Sequence, residues 1–209
     1  PNHVEGILNN LFYPYKSDII RNVDEFEFLR DALGKVDLAL VFSSNIHGDY
    51  SSDFHEKTDF YHLLVLIETE NGNRCGGYTS ENFTPNTVGL ISTIIEGVRS
   101  DKCAFLFNLD SKKIFDINPN EEDEAIYCND YDTINFGNED LYIPQFFLSY
   151  EGSSIFPGNY GKGAGKNELT GGERKFKIVT IEAFQVSFYS DFGDEKNKMG
   201  EHIIYSGKK

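Results

Sequence analysis

The chain has 209 residues, of which 39% are hydrophobic and 14% aromatic, with 18 Phe, 12 Tyr and no Trp. That is enough for one sizeable core or at most two small domains. With 34 acidic against 19 basic residues the formal net charge is −15, which argues against a nucleic-acid surface and against docking on anionic lipid, since both need Lys and Arg.

A basic partner protein or a cation is compatible with that charge, as is a plain solubilising role. No run reaches the roughly 18 apolar residues of a membrane span, and no signal-peptide pattern opens the chain, so membrane insertion is not expected. The chain begins at Pro1 without a methionine, which reads as a domain taken from a longer protein with modules upstream. Cys75, Cys103 and Cys128 are far apart and form no C-x-x-C pair, so no zinc cluster is expected. Each lies in an apolar, strand-like run, where a reduced Cys acts as a small hydrophobe. This points to a reducing compartment and a cytoplasmic location.

Residues 1–21 are mixed, with Pro14 breaking any long element. Asn22 to Glu25 has the spacing of a capping box. Phe26, Leu29 and Leu33 then recur on one helical face and Gly34 closes, predicting a helix over 23–33 packed by its apolar stripe. Asp37–Ser44 reads as a strand. Ser51 or Ser52 caps a short helix, 52–58, carrying Phe54, His55 and Lys57. Leu63–Ile67 is branched enough to be a strand buried on both faces. Asn71-Gly72 supplies the positive φ angles of a tight hairpin, and the chain returns through 74–80. Gly76 and Gly77 inside that strand need close packing or a bulge.

Val88, Ile91, Ile94, Ile95 and Val98 fall on one helical face. They predict a helix over 87–98, buried or used as a contact surface, although the β-branched content also suits a strand. Residues 103–109 and 113–117 read as strands. Residues 116–140 hold nine acidic side chains and no Lys or Arg, interleaved with strand-sized runs at 125–128, 134–136 and 141–143. Gln145–Tyr150 is another apolar run. Residues 153–175 read as a mobile Gly-rich surface loop, and 176–189 as the longest strand. Strands outnumber helices, and most are joined by short turns. The fold class is therefore α+β, mainly β: a two-sheet antiparallel β-sandwich with peripheral helices at 23–33, 52–58 and 87–98.

Convergent chemistry is sparse. The run GNYGKGAGKN lacks the P-loop spacing, and Asn167 stands where Ser or Thr would bind Mg²⁺. Asp116-x-Asn118-x-Asn120 begins like an EF-hand loop, but Glu121 replaces the required Gly. His47, His55 and His62 fit no metal-ligand spacing. Glu182 interrupts the apolar run 178–188. It either faces solvent or, in a strand covered on both faces, needs a hydrogen-bonding partner.

Five blocks in order resemble the TLDc domain: FHEK at 54–57 with HLLVLIETENGNRCGGYTS at 62–80, CAFLFNLD at 103–110, AIYC with FGNEDLYI at 125–128 and 136–143, SSIFPGNY at 153–160, and FKIVTIEAFQV at 176–186. The chain departs from the family pattern at Ile46-His47-Gly48, at 58–62 and at 87–98. The resemblance implies a two-sheet β-sandwich over 36–190, with an N-terminal extension, 1–35, and a polar tail, 191–209. It implies a non-enzymatic interaction domain without a catalytic residue or cofactor. It also implies a link to oxidative-stress protection and binding of vacuolar-type proton-pump (V-type ATPase) subunits. The motif residues carried over are Gly76, Gly77, Tyr78, Thr79, Ser80, Gly137, Asp140, Phe156 and Glu182, in structural or interaction roles. Val88, Ile91 and Ile95 are the expected contact surface. The alternatives are a thiol-dependent enzyme or peroxide scavenger using Cys75, Cys103 or Cys128, and cation binding by 116–140.

Overall fold

A computed structural model describes residues 17–84, 86–88, 93–95, 97–129 and 131–189. Six strands form the first sheet: β1 (Val36–Ser43), β2 (Leu63–Thr69), β3 (Arg74–Thr79), β7 (Phe105–Asn108), β8 (Lys113–Asp116) and β14 (Ile178–Phe188). Their order is β1-β14-β2-β3-β7-β8. The second sheet contains β6 (Gly97–Arg99), β9 (Ile126–Cys128), β10 (Ile134–Phe136), β11 (Leu141–Ile143), β12 (Gly152–Ser153) and β13 (Lys175–Phe176). Its order is β13-β12-β11-β10-β9-β6. A separate two-stranded ribbon pairs β4 (Asn86–Val88) with β5 (Thr93–Ile95). Every pairing is antiparallel. The molecule is mainly β, two sheets face to face.

Strand alternation separates two apolar layers. Leu63, Val65 and Ile67 of β2, with Ile181 and Ala183 of β14, point into the space between the sheets and meet Ile134, Phe136 and Ile143. Leu64, Leu66, Phe107 and Phe184 point the other way. That outer face is covered by Ile19, Ile20 and helix α1 (Val23–Leu33), whose Leu29 is fully buried. β2 is therefore covered on both faces, as its continuous apolar run predicts. Asn22 caps α1 by accepting the Glu25 N–H at 3.0 Å, and Gly34 ends it at φ 89°. Helices α2 (Ser44–His47) and α3 (Ser51–Thr58) follow β1.

The structure corrects several expectations. The described residues of 87–98 are not helical. β4, β5 and β6 occupy the described part of that segment, because its branched side chains suit a pleated strand. Gln145–Tyr150 is a turn that contributes a single bridge, Tyr50 to Phe146. Pro144 and the three-residue β11 before it end the pairing there. The Gly-rich stretch is not a loose loop: Phe156, Tyr160 and Leu169 are fully buried in the inter-sheet core, and Gly161, Gly163, Gly171 and Gly172 adopt the positive φ angles that let the chain fold back on itself. Cys103 lies in the turn before β7 and is exposed. The buried Asp101 carboxylate holds that turn by accepting the Cys103 N–H at 2.9 Å. In the β2–β3 hairpin Gly72 has positive φ (80°) and Asn71 does not. The connection is thus a longer turn closed by Gly72, which donates to Thr69 O at 2.8 Å.

Candidate functional site

Gly76 and Gly77 sit in β3 between β2 and β7. A Cβ on Gly76 would stand 1.9 Å from the Val65 carbonyl oxygen and 2.8 Å from the Phe107 ring. On Gly77 it would stand 2.7 Å from the Phe136 ring of the facing sheet. The double glycine therefore lets two sheets and a neighbouring strand close on bare backbone, and no space is left there for a ligand.

The rest of that block is held by hydrogen bonds. Tyr78 OH lies 2.9 Å from His62 Nδ1 on the outer face. Burial holds the Tyr78 phenol above its ordinary pKa, with Asp101 adding to the effect. Asp101 is itself buried and takes three bonds from the block: Thr79 Oγ1 at 2.7 Å, Ser80 N at 2.6 Å and Ser80 Oγ at 2.8 Å. Nothing in the sequence motif singled out Asp101.

Glu182 is fully buried in β14, opposite Ser43 of β1 and Leu66 of β2. It faces the α1 side, since its neighbour Ile181 points between the sheets. Its partners come from the start of the described chain: Ser17 Oγ donates at 2.5 Å and the Asp18 N–H at 2.7 Å. Burial pushes its carboxyl pKa up, and those two donors pull it down without overcoming the shift. The same seam holds a second buried charge. Arg74 of β3 forms a two-pronged ion pair with Glu25 of α1, both arms at 2.9 Å, and also donates to Asp110 and to Ile19 O. Glu25 takes the Arg21 N–H as well, at 2.7 Å. Its side chain thus joins the strand while also holding the turn before the helix. Sequence reasoning placed Glu25 only in a capping box and missed Arg74. The signal available was a lone Arg opening a strand otherwise free of charge.

Gly137, Asp140 and Phe156 form a third cluster, at the Gly-rich loop. Asp140 is fully buried and accepts from Gly158 N and Asn159 N at 2.6 Å and Tyr160 N at 3.2 Å. Burial pushes its carboxyl up to about 6 against those three donors. Gly137 (φ 60°) leaves room for this carboxylate, because a Cβ there would stand 2.5 Å from Asp140 Oδ2. Phe156 packs edge-on against Phe115 at 4.7 Å. The motif residues therefore stand in separate clusters on both sheets.

The histidines also go separate ways. His47 Nδ1 accepts from Ser43 N at 3.1 Å, His55 Nε2 lies 2.8 Å from Asp132 O, and His62 meets Tyr78. Among the described residues no three His, Cys, Asp or Glu side chains come together as a metal site. Cys75 and Cys128 are buried. Burial drives the Cys75 thiol far up and Cys128 to about 11. Val88 lies in β4 and Ile95 in β5, while Ile91 lies outside the described residues. A cleft of about 340 Å³ opens on the outer face of the second sheet beside Gly137. Among the described residues no helix is long and apolar enough to cross a membrane.

A mainly β sandwich, with glycines at its close approaches and carboxylates tying its loops and N-terminal segment to the sheets, defines the architecture. The family model of the TLDc domain matches residues 15–187, and the chain belongs to the TLDc family. No curated protein matches it.

Proposed function

We propose that this chain is a non-enzymatic TLDc interaction domain acting in the cytoplasm. Its role is in protection against oxidative stress, with V-type ATPase subunits as partners. The observation that carries the reading is where the motif side chains go. Gly76, Gly77, Thr79, Gly137, Asp140, Phe156 and Glu182 serve packing and loop anchoring in separate clusters. A catalytic set would bring polar groups to one cavity. Val88, Ile91 and Ile95 are proposed as contact residues around the β4–β5 ribbon. The test is capture from native cell extract with the purified chain as bait. Recovery of proton-pump subunits is expected, and their absence from the captured material removes that partner.

A thiol-based scavenger is the second reading, favoured by one observation: Cys103 is exposed. A chromogenic disulfide reagent is expected to titrate one thiol in the native protein and three after denaturation. Peroxide consumption unchanged in Cys103→Ser removes this reading.

A further inference from the structure

The turn at residues 145–150 presents aromatic side chains outward, and none of the motif residues accounts for them. Phe147 is fully buried and packs edge-on against Phe42 at 6.3 Å. Its neighbours go the other way: Phe146 is 39% and Tyr150 62% exposed. Their rings are grouped. Tyr50, half-buried at the cap of α3, lies 4.7 Å from Phe146, and Phe146 lies 6.1 Å from Tyr150. Single exposed apolar side chains are ordinary on a protein surface, whereas a contiguous group of them marks a contact site. The group is also held in place. Ser51 N donates to Gln145 O at 2.9 Å, Phe147 N to Asp49 O at 3.3 Å and Tyr150 N to Phe146 O at 2.8 Å. Gln145 Nε2 donates to the Tyr50 hydroxyl at 2.7 Å. A face fixed in this way loses little freedom when a partner covers it.

The charges around the face decide what covers it. Asp49 precedes Tyr50 and Glu151 follows Tyr150. The Asp53 carboxylate lies against Gly48, where a Cβ would stand 2.9 Å from its Oδ2. None of the three acids is buried. The segments that build the face, 36–56 and 114–161, contain no Lys or Arg. A second copy of this chain fits badly. A two-fold contact sets one face against itself, so these carboxylates would meet their own copies, and like charges brought together oppose association. The net charge of −15 adds to that repulsion. A basic segment of another protein satisfies both the rings and the acids.

We propose that this aromatic face docks a basic segment of a partner protein. An apolar or aromatic side chain of the partner packs on Phe146 and Tyr150, and flanking Lys or Arg residues meet Asp49, Asp53 and Glu151. The surface is separate from the β4–β5 ribbon, and the proposal rests on the interaction reading above. Aromatic anchors with charged groups around them are the usual anatomy of an interface: the rings supply affinity, and the charges supply steering and choice of partner.

The test is fluorescence anisotropy with the full chain and a rhodamine-labelled peptide in which lysine alternates with leucine and phenylalanine. Saturable binding that weakens with salt is expected. Two control peptides, one with glycine for leucine and phenylalanine and one with glutamate for lysine, are expected not to saturate. Tyr150→Ser and D49N/E151Q should each weaken binding at least about fivefold, while Tyr150→Phe keeps the ring and should bind like the parent chain. The replaced side chains are not buried, so each variant is expected to keep the parent's thermal transition. No saturable binding, equal binding of the glycine peptide, or binding unchanged in Tyr150→Ser overturns the proposal. Sedimentation of the full chain is expected to show a monomer. A dimer that Tyr150→Ser dissociates would assign the face to a second copy and overturn the proposal as well. Capture of proton-pump subunits is run in parallel. Capture without peptide binding overturns this surface and leaves the interaction reading standing. Peptide binding that depends on Tyr150, without such capture, supports the surface while the named partner falls.

Discussion

At the scale of single residues, the two glycines of β3 make the sharpest demand. Gly76→Ala puts a methyl group against a backbone oxygen of β2, which moves only if the strands separate. Gly77→Ala presses on the Phe136 ring and the Leu106 side chain, which can rotate aside. Urea unfolding is expected to show Gly77→Ala destabilised by about 1–3 kcal/mol and Gly76→Ala by more; the reverse order would refute this account. The buried carboxyls make a pH prediction. Asp140 is raised from 3.8 to about 6, and Glu182 is raised as well. A raised folded-state pKa means the native state holds the proton more tightly. The stability it contributes is fully present below the unfolded pKa and is lost as pH rises through the folded value. For Asp140 that is on the order of 2–3 kcal/mol, lost between about pH 4 and pH 7. In Asp140→Asn the fall in urea midpoint across that window should be shallower than in the parent chain.

At the scale of elements, the seam between α1 and the first sheet depends on Arg74. Its head group is shared by Glu25, Asp110 and Ile19 O. Breaking one side strands a charge in a nearly dry place. Arg74→Met is expected to cost about 3–5 kcal/mol, and Arg74→Met with Glu25→Met substantially less, because no charge is then left unpaired against α1. A double variant no better than the single one would show that the pair is not the energetic unit. This seam marks where sequence reading stops. Local signals, such as the branched run of β2, the Asn22 cap and the alternation of β14, depend on neighbours in the chain, and the structure has them. Arg74 and Glu25 are 49 residues apart, and Ser17 and Glu182 are 165 apart, so no local pattern announces either pair. The open choice at Glu182 needed only one fact, that β14 lies between β1 and β2 with α1 above. The helix expected over 87–98 failed for a different reason. Apolar spacing fitted a 3.6-residue period, but Thr87, Val88, Thr93, Ile94 and Ile95 are all β-branched and lie in paired strands. The Gly-rich stretch failed because composition counts residues without showing that Phe156, Tyr160 and Leu169 anchor it.

At the scale of the whole molecule, the boundary expected near residue 36 becomes a testable matter of energetics. A cut there leaves every strand of the first sheet in place and removes α1 with residues 17–22. What it uncovers is the apolar face formed by Leu64, Leu66, Phe107 and Phe184, all fully buried in the intact chain. Fully burying such side chains is worth about 1.5–3 kcal/mol each, comparable in sum with the whole stability of an ordinary domain. The cut also removes both donors to the Glu182 carboxylate and the Glu25 partner of Arg74. We therefore propose that residues 17–35 are part of the folding unit and not an appendage to it. The family match beginning at residue 15 supports this view. A chain of residues 15–189 is expected to give a cooperative thermal transition close to that of the full chain, whereas 36–189 should be insoluble or melt without cooperativity. If 36–189 unfolds cooperatively within a few degrees of the longer chain, the segment is dispensable. Glu182 in the soluble 36–189 protein would then have to be satisfied by water, and glutamine at that position should cost nothing.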